Sequence, residues 1–255
     1  MILHSQIVGS GRPVVILHGF LGMGDNWRSL ALSMAEAGFQ VHLVDQRNHG
    51  RSFHHPEFNY ELLTQDFKAY LDHHELKHII LLGHSMGGKT AMNFATQHPK
   101  YVTHLVVADI GPKAYPPHHQ AILKALNYLE QSAPNSRKHA DALLAEYIAE
   151  PGIRQFLLKN LYWAAPEQLG LRINLQALTD NADEIGAPLS ESATYPGPTL
   201  FLKGERSAYI LPEDHPGMGR HFPKAQVLEI ARAGHWLHAE NPHDFLAAFL
   251  AFVQG

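Results

Sequence analysis

One ten-residue stretch, residues 79–88, constrains this chain more than any other. It reads Ile-Ile-Leu-Leu-Gly-His-Ser-Met-Gly-Gly, and a helix-like segment over 89–97 follows at once. An apolar run that ends in Gly-x-Ser-x-Gly before a helix predicts a buried strand, a very tight turn and a helix. Ser85 lies at the apex of the turn. We therefore expect a strained backbone there, which the flanking glycines permit.

Such a turn predicts a nucleophile. It exposes the Ser85 hydroxyl and aims the backbone N–H of Met86 and the helix N-terminus at the group that Ser85 attacks. The alternative is a glycine-rich turn whose serine only caps the helix. The apolar run before the turn and the helical pattern after it favour the nucleophile.

The composition excludes several other classes of protein. The chain has 255 residues, 45% of them hydrophobic, which is enough for one large α/β domain. A net charge of −4 gives no indication of a nucleic-acid partner. The absence of cysteine excludes disulfides, zinc–thiolate sites and a cysteine nucleophile. Although the chain has 20 histidines, none is spaced as in His-Glu-x-x-His, so we predict no metal site and interpret most of them as surface residues.

The N-terminal residues lack a basic segment followed by a long apolar one, so we expect no secretory signal and a cytoplasmic location. No apolar stretch is long enough to span a membrane. We expect a monomer or a weak homo-oligomer.

Strand-like runs alternate with helical ones along most of the chain. This alternation predicts a doubly wound, mostly parallel sheet. The predicted strands are 2–8, 13–17, 41–45, 79–82, 104–108, 199–203 and 225–230.

The alternation stops between residues 114 and 196. Helical patterns cover 120–131, 137–149, 153–161 and 171–182, and no strand is evident among them. We therefore predict a core domain of residues 1–113 and 197–255 and a helical cap of residues 114–196. Ligands of such sheets bind outside the carboxyl ends of the strands, so the cap is expected over the mouth of the site.

A substrate pocket is expected between the cap and the core. Apolar side chains of the cap either line such a pocket or pack the cap onto the core. The predicted pocket residues are Phe20, Leu21, Phe156, Leu161, Trp163 and Trp236.

A serine nucleophile needs a base, and His235 is the candidate. A serine hydroxyl reacts poorly unless a positioned imidazole accepts its proton. His235 follows the last predicted strand, and Gly234 lets that loop bring the ring over Ser85. His18 is interpreted as fixing its own loop, and the ring of His84 is expected to point away from the Ser85 hydroxyl.

The base in turn needs a carboxylate, and the residues leave three candidates. A common position follows the strand 199–203, in the pattern Gly-x-x-Asp. The letters here are Gly204-Glu205-Arg206-Ser207, so a serine replaces the expected aspartate. Asp109 follows an apolar run one strand from the turn, so partial burial suits it to stabilise an imidazolium. As the triad acid we favour Asp109, then Glu205, then Asp214. The alternative for Asp109 is that it only caps the turn at Gly111.

The developing oxyanion needs two hydrogen-bond donors. The backbone N–H of Met86 is one. The other is expected in the glycine-rich loop after the first buried strand, at Phe20.

With these residues assembled, the chain resembles the α/β-hydrolase superfamily and, within it, the YbfF-like carboxylesterases. The resemblance covers nearly the whole length. It is carried by residues 18–22 (His-Gly-Phe-Leu-Gly), 45–52 (Asp-Gln-Arg-Asn-His-Gly-Arg-Ser), 83–89 (Gly-His-Ser-Met-Gly-Gly-Lys), 108–112 (Ala-Asp-Ile-Gly-Pro) and 233–240 (Ala-Gly-His-Trp-Leu-His-Ala-Glu).

The resemblance implies an α/β-hydrolase fold and hydrolysis of small-molecule esters or thioesters with short acyl chains, without a cofactor. It also implies a triad acid after the strand that precedes the cap, which favours Asp109. Three alternatives stay open: a C–C bond hydrolase or an acyltransferase with the same triad, and a non-catalytic ligand-binding module of the same fold.

Overall fold

The computed structural model describes all 255 residues, and most of its strands form one sheet. The strands, numbered along the chain, are β1 (Ser5–Gly9), β2 (Arg12–Leu17), β3 (Phe39–Val44), β4 (Ile79–His84), β5 (Val102–Ala108), β6 (Leu161–Ala165), β7 (Gln168–Leu171), β8 (Thr199–Gly204) and β9 (Ala225–Ile230).

Ten α-helices connect or cover these strands. They are α1 (Arg28–Glu36), α2 (Tyr60–His73), α3 (Met86–Gln97), α4 (Gln120–Gln131), α5 (Arg137–Ala145), α6 (Pro151–Leu158), α7 (Leu175–Asp180), α8 (His215–His221), α9 (Leu237–Glu240) and α10 (Pro242–Gln254).

The main sheet has the order β1-β3-β2-β4-β5-β8-β9. Only β1 runs antiparallel to its neighbour; every other pair is parallel, which confirms the predicted doubly wound, mostly parallel sheet. β4 lies at the centre, between β2 and β5. The loops after these strands therefore leave the same edge of the sheet, and this edge holds Ser85 and its neighbours.

Alternate residues of the central strand enter two separate hydrophobic layers. Ile79 and Leu81 pack on one face with Phe67 of α2 and Phe94 of α3. Ile80 and Leu82 pack on the other face, against α1 and α10. All four β4 side chains are fully buried, as a parallel strand covered by helices on both sides requires.

The chain between β5 and β8 forms a layer over the carboxyl edge of the sheet. Its helices α4 to α7 share one apolar cluster with three residues of the sheet's loops, Phe20, Leu21 and Met86. The predicted helix 120–131 is confirmed as α4. The other three are shorter than predicted, and α7 covers only the middle of the range 171–182.

The prediction that this segment has no strand is wrong. β6 and β7 form an antiparallel hairpin, joined by a two-residue loop in which Glu167 has a φ of 59°. Pro151 begins α6, and the helix ends at Leu158, three residues before the predicted end. The short apolar run that follows carries Tyr162 and Trp163, aromatic residues that favour a strand over another helical turn.

A buried lysine ties the two ends of this inserted segment together. The Lys89 ammonium, on α3, donates to the carbonyl oxygens of Lys113 and of Ala187. The Leu189 N–H donates to the Pro112 carbonyl in the same place. Lys89 is fully buried, and this burial, with the nearby Lys113 charge, lowers its pKa to about 7. The position of the segment is therefore coupled to α3, the helix that follows Ser85.

No helix is both long enough and apolar enough to cross a membrane. The location in the cell and the oligomeric state stay predictions.

Most histidines are at least partly exposed, as the composition suggested, but five are buried: His18, His42, His49, His84 and His238. Burial lowers the pKa of His18 and of His42 to about 4. Burial also lowers the pKa of His49 and of His238 to about 3, and that of His84 well below its usual value. These rings are neutral in the folded protein over a wide pH range.

This neutrality predicts loss of stability in mild acid. An unfolded histidine takes up a proton near pH 6.5, whereas folded His42 does so only near pH 4. Between these values the unfolded state binds more protons, so the free energy of unfolding falls as the pH falls. His42→Gln is expected to reduce this slope by about 1 kcal/mol per pH unit between pH 6 and pH 5, measured by urea unfolding.

The matched control is His139→Gln, because His139 is an exposed histidine on α5. Its slope should equal that of the wild type. Equal slopes in all three proteins would contradict a neutral, buried His42.

Candidate active site

The backbone at Ser85 has the predicted strain. Its φ is +52°, in the left-handed region that non-glycine residues rarely adopt. The turn is also crowded: a Cβ on Gly83 would lie 2.2 Å from the Gly87 carbonyl oxygen, and one on Gly87 would lie 2.2 Å from the Leu17 carbonyl oxygen. Both glycines are thus required for β4, α3 and the end of β2 to approach this closely.

Three predicted residues meet above this turn. His235 Nε2 lies 3.1 Å from Ser85 Oγ, and His235 Nδ1 lies 2.8 Å from Asp109 Oδ2. Asp109 directly follows β5, is fully buried and has a φ of +52°. Its carboxylate fixes the tautomer, because Nδ1–H donates to Asp109 and leaves Nε2 free to accept from the serine.

The two other candidate acids do not contact His235. The carboxylate of Glu205 accepts the Arg232 N–H, and that of Asp214 accepts from Lys113 and from the Leu211 N–H. The choice of Asp109 over these residues therefore agrees with the geometry.

Two further donors hold the Asp109 carboxylate. The Gly204 N–H donates to Oδ1 at 3.0 Å, and the Ser207 hydroxyl donates to Oδ2. The sequence interpretation treated Ser207 only as the absence of an expected aspartate. Since β8 lies next to β5, the loop after β8 brings this hydroxyl to the carboxylate from the neighbouring strand.

Two contacts that the sequence interpretation missed orient the His235 ring. Tyr209 stacks on it, with ring centroids 4.0 Å apart and planes 16° apart. The Tyr209 hydroxyl lies 2.6 Å from His118 Nε2, in the inserted segment. Burial raises the pKa of Tyr209 to about 12, so the stacked ring stays an uncharged phenol. His84 Nε2–H donates to the backbone carbonyl of His235 at 2.8 Å.

The loop after β2 lies against Ser85, where the second oxyanion donor was predicted. A Cβ on Gly19 would lie 3.3 Å from Ser85 Cβ. The N–H of Phe20 has no acceptor in the protein, and Met86 is the first residue of α3, so its N–H has no intrahelical acceptor. Both N–H groups are free to bind an anion.

Two buried histidines fix this loop. His18 Nδ1–H donates to the Gly19 carbonyl at 2.9 Å, and His18 Nε2 accepts the Gln46 N–H at 3.0 Å. His49 Nε2 accepts the Leu21 N–H at 3.2 Å. The interpretation of His18 as a residue that fixes its loop agrees with these contacts.

A cavity of about 240 Å³ opens at Ser85. Four of the predicted pocket residues line it: Phe20, Leu21, Phe156 and Trp236. Two do not, and their prediction is wrong. Leu161 is buried within the apolar cluster of the inserted segment, and the side chain of Trp163 is 58% exposed on the hairpin.

Several lining residues were missed. Most of them come from parts of the chain that lack a motif, whereas His84 and His238 lie within motifs but were not predicted to line the pocket. Further lining residues from the inserted segment are His118, His119, Ile122, Ile153 and Leu157, and further ones from the core are Asn26, Trp27, His84, Tyr209 and His238. The cavity contains no lysine, arginine, aspartate or glutamate side chain. No cluster of three or more metal-ligating side chains is present in the protein.

Comparison with known proteins agrees with this fold. The family model described as the alpha/beta hydrolase fold matches residues 12–242. The chain is 42% identical over 247 residues to the sn-1-specific diacylglycerol lipase ABHD11 of Mus musculus, covering 94% of this chain and 80% of that protein. It is 32% identical over 245 residues to esterase YbfF of Escherichia coli, covering 94% and 92%.

A solved structure titled marine microorganism esterase is similar over 98% of this chain and 99% of its own, with a TM-score of 0.94 and 39% identity. The fold, the strained serine and these relatives agree. The chain belongs to the alpha/beta hydrolase family, and it is an enzyme of the esterase and lipase kind within it.

Proposed function

We propose that the protein is a serine carboxylesterase that hydrolyses esters of short acyl chains through an acyl-enzyme on Ser85. One observation carries the proposal: the unbroken hydrogen-bonded chain from Ser85 Oγ through the His235 ring to the buried Asp109 carboxylate. Acyl thioesters undergo the same chemistry and are included.

In this mechanism, Ser85 Oγ attacks the carbonyl carbon while His235 Nε2 takes its proton. Asp109 holds the ring and stabilises the imidazolium. The tetrahedral oxyanion accepts hydrogen bonds from the N–H groups of Phe20 and Met86, next to the positive end of α3. His235 then protonates the leaving alcohol. A water molecule attacks the acyl-enzyme by the same steps in reverse and regenerates the serine.

The cavity supports a short acyl chain. Its volume of about 240 Å³ is below the range of about 300–1,000 Å³ usual for drug-sized ligands. Apolar side chains such as Ile122, Ile153 and Leu157 form much of its wall. Burial of an apolar chain there contributes binding free energy, whereas a long chain would have to extend out of the cavity.

We further propose that residues 114–196 act as a cap that shapes this cavity. Phe156 and Leu157 come from its helix α6, and His118 and His119 come from the segment before α4. The contact between His118 and Tyr209 links the cap to the ring that stacks on His235.

The first test is hydrolysis of p-nitrophenyl esters from acetate to palmitate. We expect the highest kcat/KM at a short chain. Ser85→Ala should abolish turnover, and Asp109→Asn should lower kcat by about 10³ to 10⁴, because the ring loses its tautomer and its counter-charge. The control is Glu205→Gln, another carboxylate-to-amide change in a loop at the same edge of the sheet, which should retain wild-type activity.

Each contrary result has a definite meaning. Loss of activity in Glu205→Gln with retention in Asp109→Asn would contradict the proposed acid. If the wild type cleaves none of the esters, C–C bond hydrolysis or a binding role explains the site better.

The second test concerns Ser207, whose hydroxyl aims the Asp109 carboxylate. Ser207→Ala should lower kcat about tenfold with little change in KM, since a hydrogen bond to a charged group is lost away from the substrate. In an Asp109→Asn background the same substitution should have little further effect.

The control for Ser207 is Ser190→Ala, because Ser190 is exposed and its hydroxyl bonds only to that of Ser192. Equal tenfold losses in both backgrounds would show that Ser207 does not act through Asp109.

A further inference from the structure

One corner of the cavity is polar, and the proposed mechanism does not use it. The corner surrounds the indole of Trp27, on which the ring of His238 stacks with centroids 3.9 Å apart and planes 8° apart. The ring of His84 lies 4.8 Å from that of His238. Asn26, adjacent to Trp27 in the chain, also lines the cavity, as do Trp27, His84 and His238.

His238 has no hydrogen-bond partner in the protein. It is 7% exposed, and its Nδ1 is sealed from solvent without a partner. The accessible part of the ring therefore lies on its other atoms, including Nε2, which face the cavity. Burial lowers the pKa of His238 to about 3, so the ring is neutral. The sealed Nδ1 is out of reach of a ligand, whereas Nε2 has no partner in the protein and is not sealed, so a polar group in the cavity would pair with Nε2.

His84 presents a hydrogen-bond acceptor to the same corner. Its Nε2–H donates to the His235 carbonyl, and burial keeps the ring neutral by lowering its pKa, so Nδ1 carries a lone pair. Nδ1 has no partner in the protein, and it lies beside Gly19, where a Cβ would be only 2.7 Å away. His84 is 3% exposed, so this lone pair is almost fully removed from bulk water.

Asn26 adds a donor. Its side-chain Oδ1 accepts the Met23 N–H at 2.7 Å, which fixes the orientation of the amide and leaves Nδ2 without a partner in the protein. The corner thus combines one acceptor, one donor and one neutral imidazole that serves as either.

The chemistry of the corner selects a neutral group. A carboxylate or an ammonium group on the ligand would lose its hydration against a wall without lysine, arginine, aspartate or glutamate, and the one lysine whose charge acts on His238, Lys159, lies outside that wall. A ketone or an amide carbonyl only accepts, so it would leave His84 Nδ1 unpaired. A hydroxyl both donates and accepts, so it can donate to His84 Nδ1 and accept from the Nε2–H tautomer of His238, whose ring lies 4.8 Å from that of His84.

We propose that this corner binds a hydroxyl group on the acyl chain of the substrate, so that the enzyme prefers esters of short hydroxy acids. The inference rests on the proposed function, which places the acyl chain in this cavity. A site that hydrogen-bonds a substrate hydroxyl discriminates against the analogue that lacks it, because its own polar groups are then left unpaired.

The test compares esters that differ only by a hydroxyl in place of a methyl group. The pairs are ethyl 3-hydroxybutanoate with ethyl 3-methylbutanoate, and ethyl 6-hydroxyhexanoate with ethyl heptanoate, followed by pH-stat titration. The wild type should show a ratio of kcat/KM of about ten in favour of the hydroxy ester in at least one pair. His238→Phe keeps an aromatic ring on Trp27 and should bring that ratio to about one or below. His238→Gln restores a polar group and should recover part of it.

The matched control is His98→Phe. His98 is half-buried beside Phe94 and Tyr101, at the far end of α3, and its replacement should leave the ratio unchanged. If His238→Phe does not fold, the wild-type ratio of kcat/KM between the hydroxy ester and its methyl analogue is by itself the test of the inference. If the wild type cleaves both members of each pair equally, a bound water satisfies the corner and this inference is overturned while the esterase proposal stands. If it cleaves neither member of either pair but hydrolyses the p-nitrophenyl esters, this inference fails and the esterase proposal stands; if it cleaves none of these esters, both fail.

Discussion

The strained turn at Ser85 is the constraint on which the rest of the site depends. A serine at a φ of +52° is unfavourable by itself, so the surrounding structure must hold it. The central position of β4, between β2 and β5, provides that support, together with the helix that begins at the next residue. The strain has a consequence for chemistry, because the same turn presents the serine hydroxyl and the N–H of Met86 to one space.

The order of the strands assembles the other groups around that turn. Asp109 ends the neighbouring strand β5 at a second left-handed position, and its N–H donates to the Leu202 carbonyl of β8 at 2.8 Å. The loop with His235 follows β9 and passes over β8 so closely that a Cβ on Gly204 would lie 2.2 Å from the Gly234 carbonyl oxygen. Residues far apart in the chain thus meet because parallel strands end at one edge.

The parts that sequence predicted well are those with a local physical signature. β4, the turn and α3 follow from an apolar run, paired glycines and helical spacing, and Asp109 followed from its position after a buried strand. The hairpin that includes Trp163 was missed because a short apolar run does not distinguish strand from helix. Ser207 and Tyr209 were missed for a different reason: their contacts with Asp109 and His235 exist only after distant loops are brought together, and neither lies in a motif.

Burial keeps much of this site neutral. His18 and His49 act as fixed hydrogen-bond partners of the loop after β2, and their lowered pKa values keep them uncharged while they do so. No lysine, arginine, aspartate or glutamate lines the cavity. The negative charge that develops on the reacting oxygen is therefore stabilised by preorganised N–H groups rather than by charged side chains of the wall. The same neutrality couples the site to stability in acid.

The most direct test of this account is covalent labelling with diethyl p-nitrophenyl phosphate, followed by peptide mass spectrometry. A serine activated by His235 should take up one diethylphosphoryl group at Ser85, with release of one equivalent of p-nitrophenol, and His235→Gln should label far more slowly. An adduct on another residue, or equal labelling rates in the two proteins, would contradict the central claim that the strained serine is the activated nucleophile.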